Sequence, residues 1–163
     1  MDNIVVDTNV WVTAGKLASE AETMEEADCI EACIDWTKDF LSGKLRLVVD
    51  TESKVFDEYM ANISDGRYPS SNLYELYNGI WARIEPIEIQ FDEDGFAILP
   101  LAISFHDPAD RKFVALALAC DPYAPIYNAA DTDWSKERHQ LTQFGLTIHE
   151  LCPDYIEQRM LSR

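Results

Sequence analysis

Short apolar runs alternate with helical stretches along this chain, and that alternation limits its fold more than any other feature. Ile4, Val5 and Val6 form a continuous apolar run that stops at Asp7, as expected of a strand buried on both faces. Similar runs at Leu45 to Val49, Ile87 to Phe91, Pro125 to Asn128 and Leu146 to His149 are read as further strands. Between them lie helical patterns. From Glu20 to Leu41, residues Cys29, Ile30, Cys33, Ile34, Trp36, Phe40 and Leu41 share one face, opposite Asp28, Glu31, Asp35 and Asp39. Thr51 to Ile63 packs through Val55, Phe56, Tyr59, Met60 and Ile63, and Leu73, Leu76, Tyr77, Ile80 and Ile84 mark another helix. Asp110 to Cys120 is apolar nearly all round, the pattern of a central buried helix. Trp134 to Phe144 and a short C-terminal tail helix over 150–163 complete the set.

Strands alternating with helices predict an α/β fold of three layers, with a mostly parallel sheet of four to five strands covered on both faces. The 163 residues suit a single domain, and 47% hydrophobic residues suffice for one core. No stretch reads as a signal peptide or a membrane span, so a soluble cytoplasmic protein is expected. Cys29, Cys33, Cys120 and Cys152 lack a zinc-ligand spacing and are expected to be buried free thiols.

In parallel α/β sheets, ligands bind beyond the carboxyl ends of the strands, which directs attention to the residues there. Asp7 closes the first strand, Glu58 lies in the helix after the second, Asp110 opens the buried helix, and Asp131 and Asp133 follow the fourth strand. Hard divalent ions such as Mg2+ and Mn2+ prefer oxygen ligands, and carboxylates held together repel one another unless a cation neutralises them. Each acid also has a plainer role. Asp7 reads as a helix cap, Glu58 as a surface partner of Lys54, Asp107 and Asp110 as first-turn acids, and Asp131 and Asp133 as capping residues. The conjunction of all of them carries the metal-site reading.

These segments resemble the PIN-domain nuclease family. Val5-Val6-Asp7-Thr8-Asn9-Val10-Trp11-Val12 is similar to its opening strand and turn, and Val55-Phe56-Asp57-Glu58-Tyr59 to its glutamate-bearing helix. His106-Asp107-Pro108-Ala109-Asp110, running into the alanine-rich helix, and Asn128-Ala129-Ala130-Asp131-Thr132-Asp133-Trp134 resemble its later motifs, in the family's order. The resemblance implies a Mg2+- or Mn2+-dependent endoribonuclease with Asp7, Glu58, Asp110 and Asp131 as core acids and Asp133 as a fifth ligand. Thr8, Asn9 and Asp107 would be accessory. Many relatives are toxins held inactive by a small antitoxin, and many form homodimers. The long acidic helix, the stretch Phe96 to Phe105 and the C-terminal tail depart from the compact toxin pattern, as does Ala129-Ala130 where relatives carry a hydroxyl or glycine.

Thirty acidic against thirteen basic residues give a net charge of −17, which opposes tight nonspecific nucleic-acid binding. Eight acids of Glu20 to Asp39 account for much of it, while Lys54, Arg111, Lys112, Lys136 and Arg138 fall beside the motifs as candidate phosphate contacts. The acidic face Asp28-Glu31-Asp35-Asp39 suggests a basic protein partner, with a solvated face as the plainer reading. His106, His139 and His149 show no ligand spacing and are read as structural or surface residues. Tyr68, Tyr74, Tyr77 and Trp81 are either base-stacking or core aromatics. Two alternatives stay open. One is a PIN-like interaction module without turnover. The other is a phosphatase of haloacid-dehalogenase type, which needs a second acid where Asn9 stands.

Overall fold

A computed structural model describes residues 1–63, 68–79 and 83–162. Five strands form one parallel sheet: β1 (Asn3–Val6), β2 (Arg46–Asp50), β3 (Ile84–Ile87), β4 (Ile126–Asn128) and β5 (Ile148–Glu150), in the order β3-β2-β1-β4-β5. Seven helices complete a three-layer α/β/α arrangement among the described residues: α1 (Thr8–Ala14), α2 (Met24–Ser42), α3 (Lys54–Asn62), α4 (Ser70–Gly79), α5 (Arg111–Ala119), α6 (Thr132–Gln143) and α7 (Pro153–Leu161).

The chain lays down β1, β2 and β3 outward in one direction, then returns to place β4 on the other side of β1. The reversal leaves a crevice between the carboxyl ends of β1 and β4, the position where such sheets bind ligands. Register pairs Val6 with Tyr127, so Asp7 and the β4–α6 turn leave the sheet at neighbouring points.

The apolar runs form the middle of the sheet. Ile4, Val5, Val6, Leu47, Val48, Val49 and Ile126 are buried, as continuous apolar strands covered on both faces must be. Helix α5 lies against β1, β2 and β4 and buries Phe113, Val114, Ala115, Leu116 and Ala117, which accounts for its apolar circumference. Trp11 of α1 is fully enclosed, with its ring 5.6 Å from Trp36, 5.6 Å from Phe40 and 5.9 Å from Tyr59, so α1, α2 and α3 meet around one indole. Just beyond α6, Gly145 has a φ of 88°, a left-handed turn that feeds the chain into β5.

The third strand differs from expectation. It runs Ile84–Ile87, and Phe91 makes only an isolated antiparallel bridge to Ala97. Ile84 therefore pairs with Leu47 in the sheet and does not extend the preceding helix. Single apolar residues at this spacing fit either periodicity, and pairing with β2 decided it. Helix α2 starts later than read, at Met24, where the Thr23 hydroxyl caps it by accepting from the Glu26 NH at 3.1 Å; a short 3-10 turn (Ala18–Glu20) precedes it. Phe96 to Phe105 forms no regular element. Ile80 and Trp81 fall outside the described residues.

The cysteine expectation also needs correction. Cys29 of α2 and Cys152, just before α7, form a disulfide, and Cys33 and Cys120 are buried free thiols. The two partners lie 123 positions apart, so no local spacing announces the bond. Among the described residues no helix is long and apolar enough to cross a membrane.

Candidate metal centre

Three helices begin at the crevice, and each begins with one of the aspartates singled out above. Asp7 is the N-cap of α1, Asp110 of α5 and Asp131 of α6. Helix N-termini carry unsatisfied NH groups and partial positive charge, which is why carboxylates settle there. Convergence of three such caps brings a carboxylate oxygen from each of Asp7, Asp110 and Asp131 within 4.8 Å of the others. At Asp7 and Asp131 capping and clustering are two properties of the same side chain, and the plain reading of these two as caps holds alongside the other.

Asp7 is 3% exposed. One of its oxygens accepts from the Asn9 backbone NH at 2.9 Å and the other from Trp134 Nε1 at 2.6 Å. Burial outweighs these bonds and, with the nearby charge of Asp131, raises its carboxyl to about 6. Asp110 makes no capping bond through its side chain. Burial, followed by the charges of Asp7, Asp107 and Asp131, pushes it up to about 9 against a smaller opposing pull from Lys112. Asp131 accepts from the Asp133 NH at 2.9 Å, yet burial also raises its carboxyl above the ordinary value.

The first carboxyl oxygens of the set suit a hard cation. Ligands on opposite sides of an ion with metal–oxygen distances of about 2.1 Å stand about 4.2 Å apart, so oxygens within 4.8 Å reach one ion with small side-chain movements. The donor set is all oxygen and its members are held by helix starts, which fits Mg2+ or Mn2+ better than a soft metal.

The remaining predicted residues are placed differently. Glu58 is not in the three-acid group. One of its oxygens pairs with Lys112 Nζ at 2.8 Å, and the other accepts from the Thr8 hydroxyl. The expected Lys54–Glu58 pair is not made; Lys54 Nζ instead lies 4.2 Å from the centre of the Phe91 ring. Lys112 also donates to the Ala109 carbonyl and is 8% exposed, so it acts as a buried counter-charge beside Asp110. Asp107 caps the turn before α5 by accepting from Ala109 NH at 2.9 Å. Asp133 faces Lys136 at 3.8 Å, and both line a cavity of about 550 Å3 together with His106 and Glu137.

Of the candidate phosphate contacts, Arg111 Nε donates to the Phe105 carbonyl and Arg138 to the Ile148 carbonyl, both at 3.3 Å. Lys136 keeps an exposed side chain on the cavity. His139 is exposed, and His149 stacks on Tyr127 with ring centres 4.7 Å apart. Tyr77 stacks on Phe56 at 3.8 Å, a packing role, whereas Tyr74 is exposed.

No protein-family model matches this sequence, and no curated protein matches it. The chemistry of the acid cluster is therefore the ground for any functional reading.

Three supporting residues escaped sequence reasoning. Asn128, at the end of β4, is buried; its Oδ1 accepts from Asn9 Nδ2 at 2.9 Å, while its Nδ2 donates to the Asp131 carbonyl at 2.9 Å and to Glu150 at 2.7 Å. Asn9 Oδ1 in turn accepts from the Ala129 and Ala130 NH groups, both at 2.9 Å, which stitches the β1 end to the β4–α6 turn. Glu150 also accepts from the Ser135 hydroxyl at 3.0 Å, and burial raises its carboxyl. Trp134 is the third, through its bond to Asp7. Asn128 and Trp134 stand within the motif that carried the family resemblance, which was the available signal. Glu150 had none, because its role depends on β5 lying beside β4.

Proposed function

We propose that this chain is a divalent-metal-dependent nuclease of PIN type that hydrolyses RNA phosphodiesters. The observation that carries the reading is the convergence of Asp7, Asp110 and Asp131 at the crevice between β1 and β4. Isolated carboxylates avoid this arrangement, since burial raises all three, the charge of Asp131 adds to the rise at Asp7, and the charges of Asp7 and Asp131 add to that at Asp110. Held so, they oppose stability in the metal-free protein, a cost that a bound cation removes.

Asp7, Asp110 and Asp131 would hold Mg2+ or Mn2+, which supplies a hydroxide nucleophile from water and stabilises charge on the phosphorane-like transition state. The protein's own contribution is orientation. The Asn9 NH and Trp134 indole aim Asp7, the Asp133 NH aims Asp131, and the Asn9–Asn128–Glu150 bonds fix the turn between them. Glu58, fastened by Lys112 and Thr8, sits beside this group as a positioning residue for the α5 start. Lys136 and His106, on the cavity next to Asp133, are the groups proposed to meet flanking phosphates.

The phosphatase alternative loses ground on Asn9. Both ends of its amide are engaged in bracing Asn128, Ala129 and Ala130, so no proton donor is poised at that position. A toxin role with a small antitoxin, and a homodimer, remain further proposals that the site chemistry does not favour over other nuclease roles.

The test is incubation of purified protein with a mixed single-stranded and structured RNA pool, with Mg2+, with Mn2+ and with a chelator. Cleavage is expected with either ion and not with chelator. Absence of cleavage with both ions, together with metal binding by calorimetry, would favour a silent binding module.

A further inference from the structure

The cysteines of α2 and the α7 start form a second chemical group, away from the carboxylates. Cys29 and Cys33 stand one turn apart on α2, and Cys152 faces both. Cys152 is bonded to Cys29, while Cys33 Sγ lies 3.9 Å from Cys152 Sγ, near contact distance for two sulfur atoms. Exposure is 2% at Cys29, 0% at Cys33 and 5% at Cys152, so the three sulfurs share one enclosed site. All three Sγ atoms lie within 4.8 Å of one another, so Cys33 approaches the existing bond from its side, and exchange requires a side-chain rotation that brings the three sulfurs into line.

We propose that Cys29, Cys33 and Cys152 form an exchange site in which Cys152 pairs with either of the two α2 cysteines. In the forward step the Cys33 thiol gives up its proton, and its thiolate electron pair forms the Cys33–Cys152 bond. The Cys29–Cys152 bond breaks with its electron pair left on Cys29 Sγ, which takes up the proton. No net oxidation occurs, and no outside reagent is consumed.

Burial pushes the Cys33 thiol up to about 12. At neutral pH only about one molecule in 10⁵ then carries the thiolate, so exchange is slow and accelerates about tenfold for each rise of one pH unit. A surface cavity of about 150 Å3 lined by Glu25, Asp28, Cys29, Cys152 and Asp154 among others borders the existing bond.

The pairing bears on the rest of the molecule through α7. Exchange moves the tether along α2 by four residues, about 6 Å. Cys152 follows Glu150, which holds Asn128, and Arg159 of α7 donates to the Ala130 carbonyl beside Asp131. Coupling to the carboxylate site rests on the nuclease reading; the exchange itself does not.

The experiment uses the full-length folded protein, incubated without reductant at pH 7 and pH 9, then quenched in acid, alkylated and digested after glutamate. Cleavage after Glu31 separates Cys29 from Cys33, so mass spectrometry distinguishes the two links. Both Cys29–Cys152 and Cys33–Cys152 peptides are expected, with the second appearing about a hundredfold faster at pH 9. In parallel, Cys29→Ala treated with oxidised glutathione should form Cys33–Cys152. Persistence of Cys29–Cys152 alone in the wild type at both pH values would overturn the proposal. So would a Cys29→Ala protein of unchanged circular dichroism that keeps both thiols, or a wild type that forms neither link under oxidised glutathione.

Discussion

Asp7 and Asp50 occupy matching places on neighbouring strands, and the molecule uses them in opposite ways. Both are buried, at 3% and 1% exposure, and both sit where a parallel strand gives way to a helix-bearing turn. Asp50 is fully occupied by its own turn: its oxygens accept from the NH groups of Glu52 at 3.1 Å, Lys54 at 3.0 Å and Val55 at 2.8 Å. Those bonds hold Ser53 in a left-handed conformation, φ 63°, that a residue with a Cβ adopts reluctantly. Asp7 accepts one backbone NH and one indole, and faces two further carboxyls. The lesson lies in the sheet order. β1 adjoins β4 at the reversal, where the α5 and α6 starts deliver Asp110 and Asp131, whereas β2 lies between β1 and β3, away from that crevice.

The largest expected contrast is in activity. Asp110→Asn should lower metal-dependent RNA cleavage on the order of 10³-fold, about 4 kcal/mol in the barrier, while the metal-free protein melts no lower than the wild type. A variant that cleaves at wild-type rate would break the comparison on the Asp7 side. Next in size, Asp50→Ala strands buried backbone donors and should cost about 3 kcal/mol of unfolding free energy in urea, with cleavage per folded molecule preserved. If that variant is stable but inactive, Asp50 belongs to the site after all.

The last contrast is the pH dependence of stability without metal. A carboxyl raised in the folded state binds its proton more tightly there than in the unfolded chain. The resulting stability is fully present below the ordinary value of 3.8 and is lost as pH rises through about 6 for Asp7 and about 9 for Asp110. The melting temperature of metal-free protein should therefore fall between pH 4 and 9. Asp110→Asn should flatten the upper part of that slope, and saturating Mg2+ should offset it in the wild type. A slope that neither change alters would assign the pH dependence to the general acidity of the chain.

Much of the fold was legible because parallel strands buried on both faces must be apolar runs, and because each is followed by a helix. Where a residue satisfied two periodicities, as Ile84 did, local pattern failed and pairing with Leu47 settled it. The carboxylates were legible for a related reason: an aspartate between a strand and a helix is at once a cap and a candidate ligand. Sequence alone therefore determined the three-layer α/β/α class and marked Asp7, Asp110 and Asp131 as residues at strand or helix ends.

Only tertiary structure decided which of those acids meet. It kept Glu58 with Thr8 and Lys112, supplied Trp134 to Asp7 across 127 positions, and joined Cys29 to Cys152 across 123. The physical reason is one of range. Periodicity and capping act within a few residues along the chain, whereas desolvation, charge repulsion and sulfur–sulfur contact depend on what the sheet order brings together from far apart.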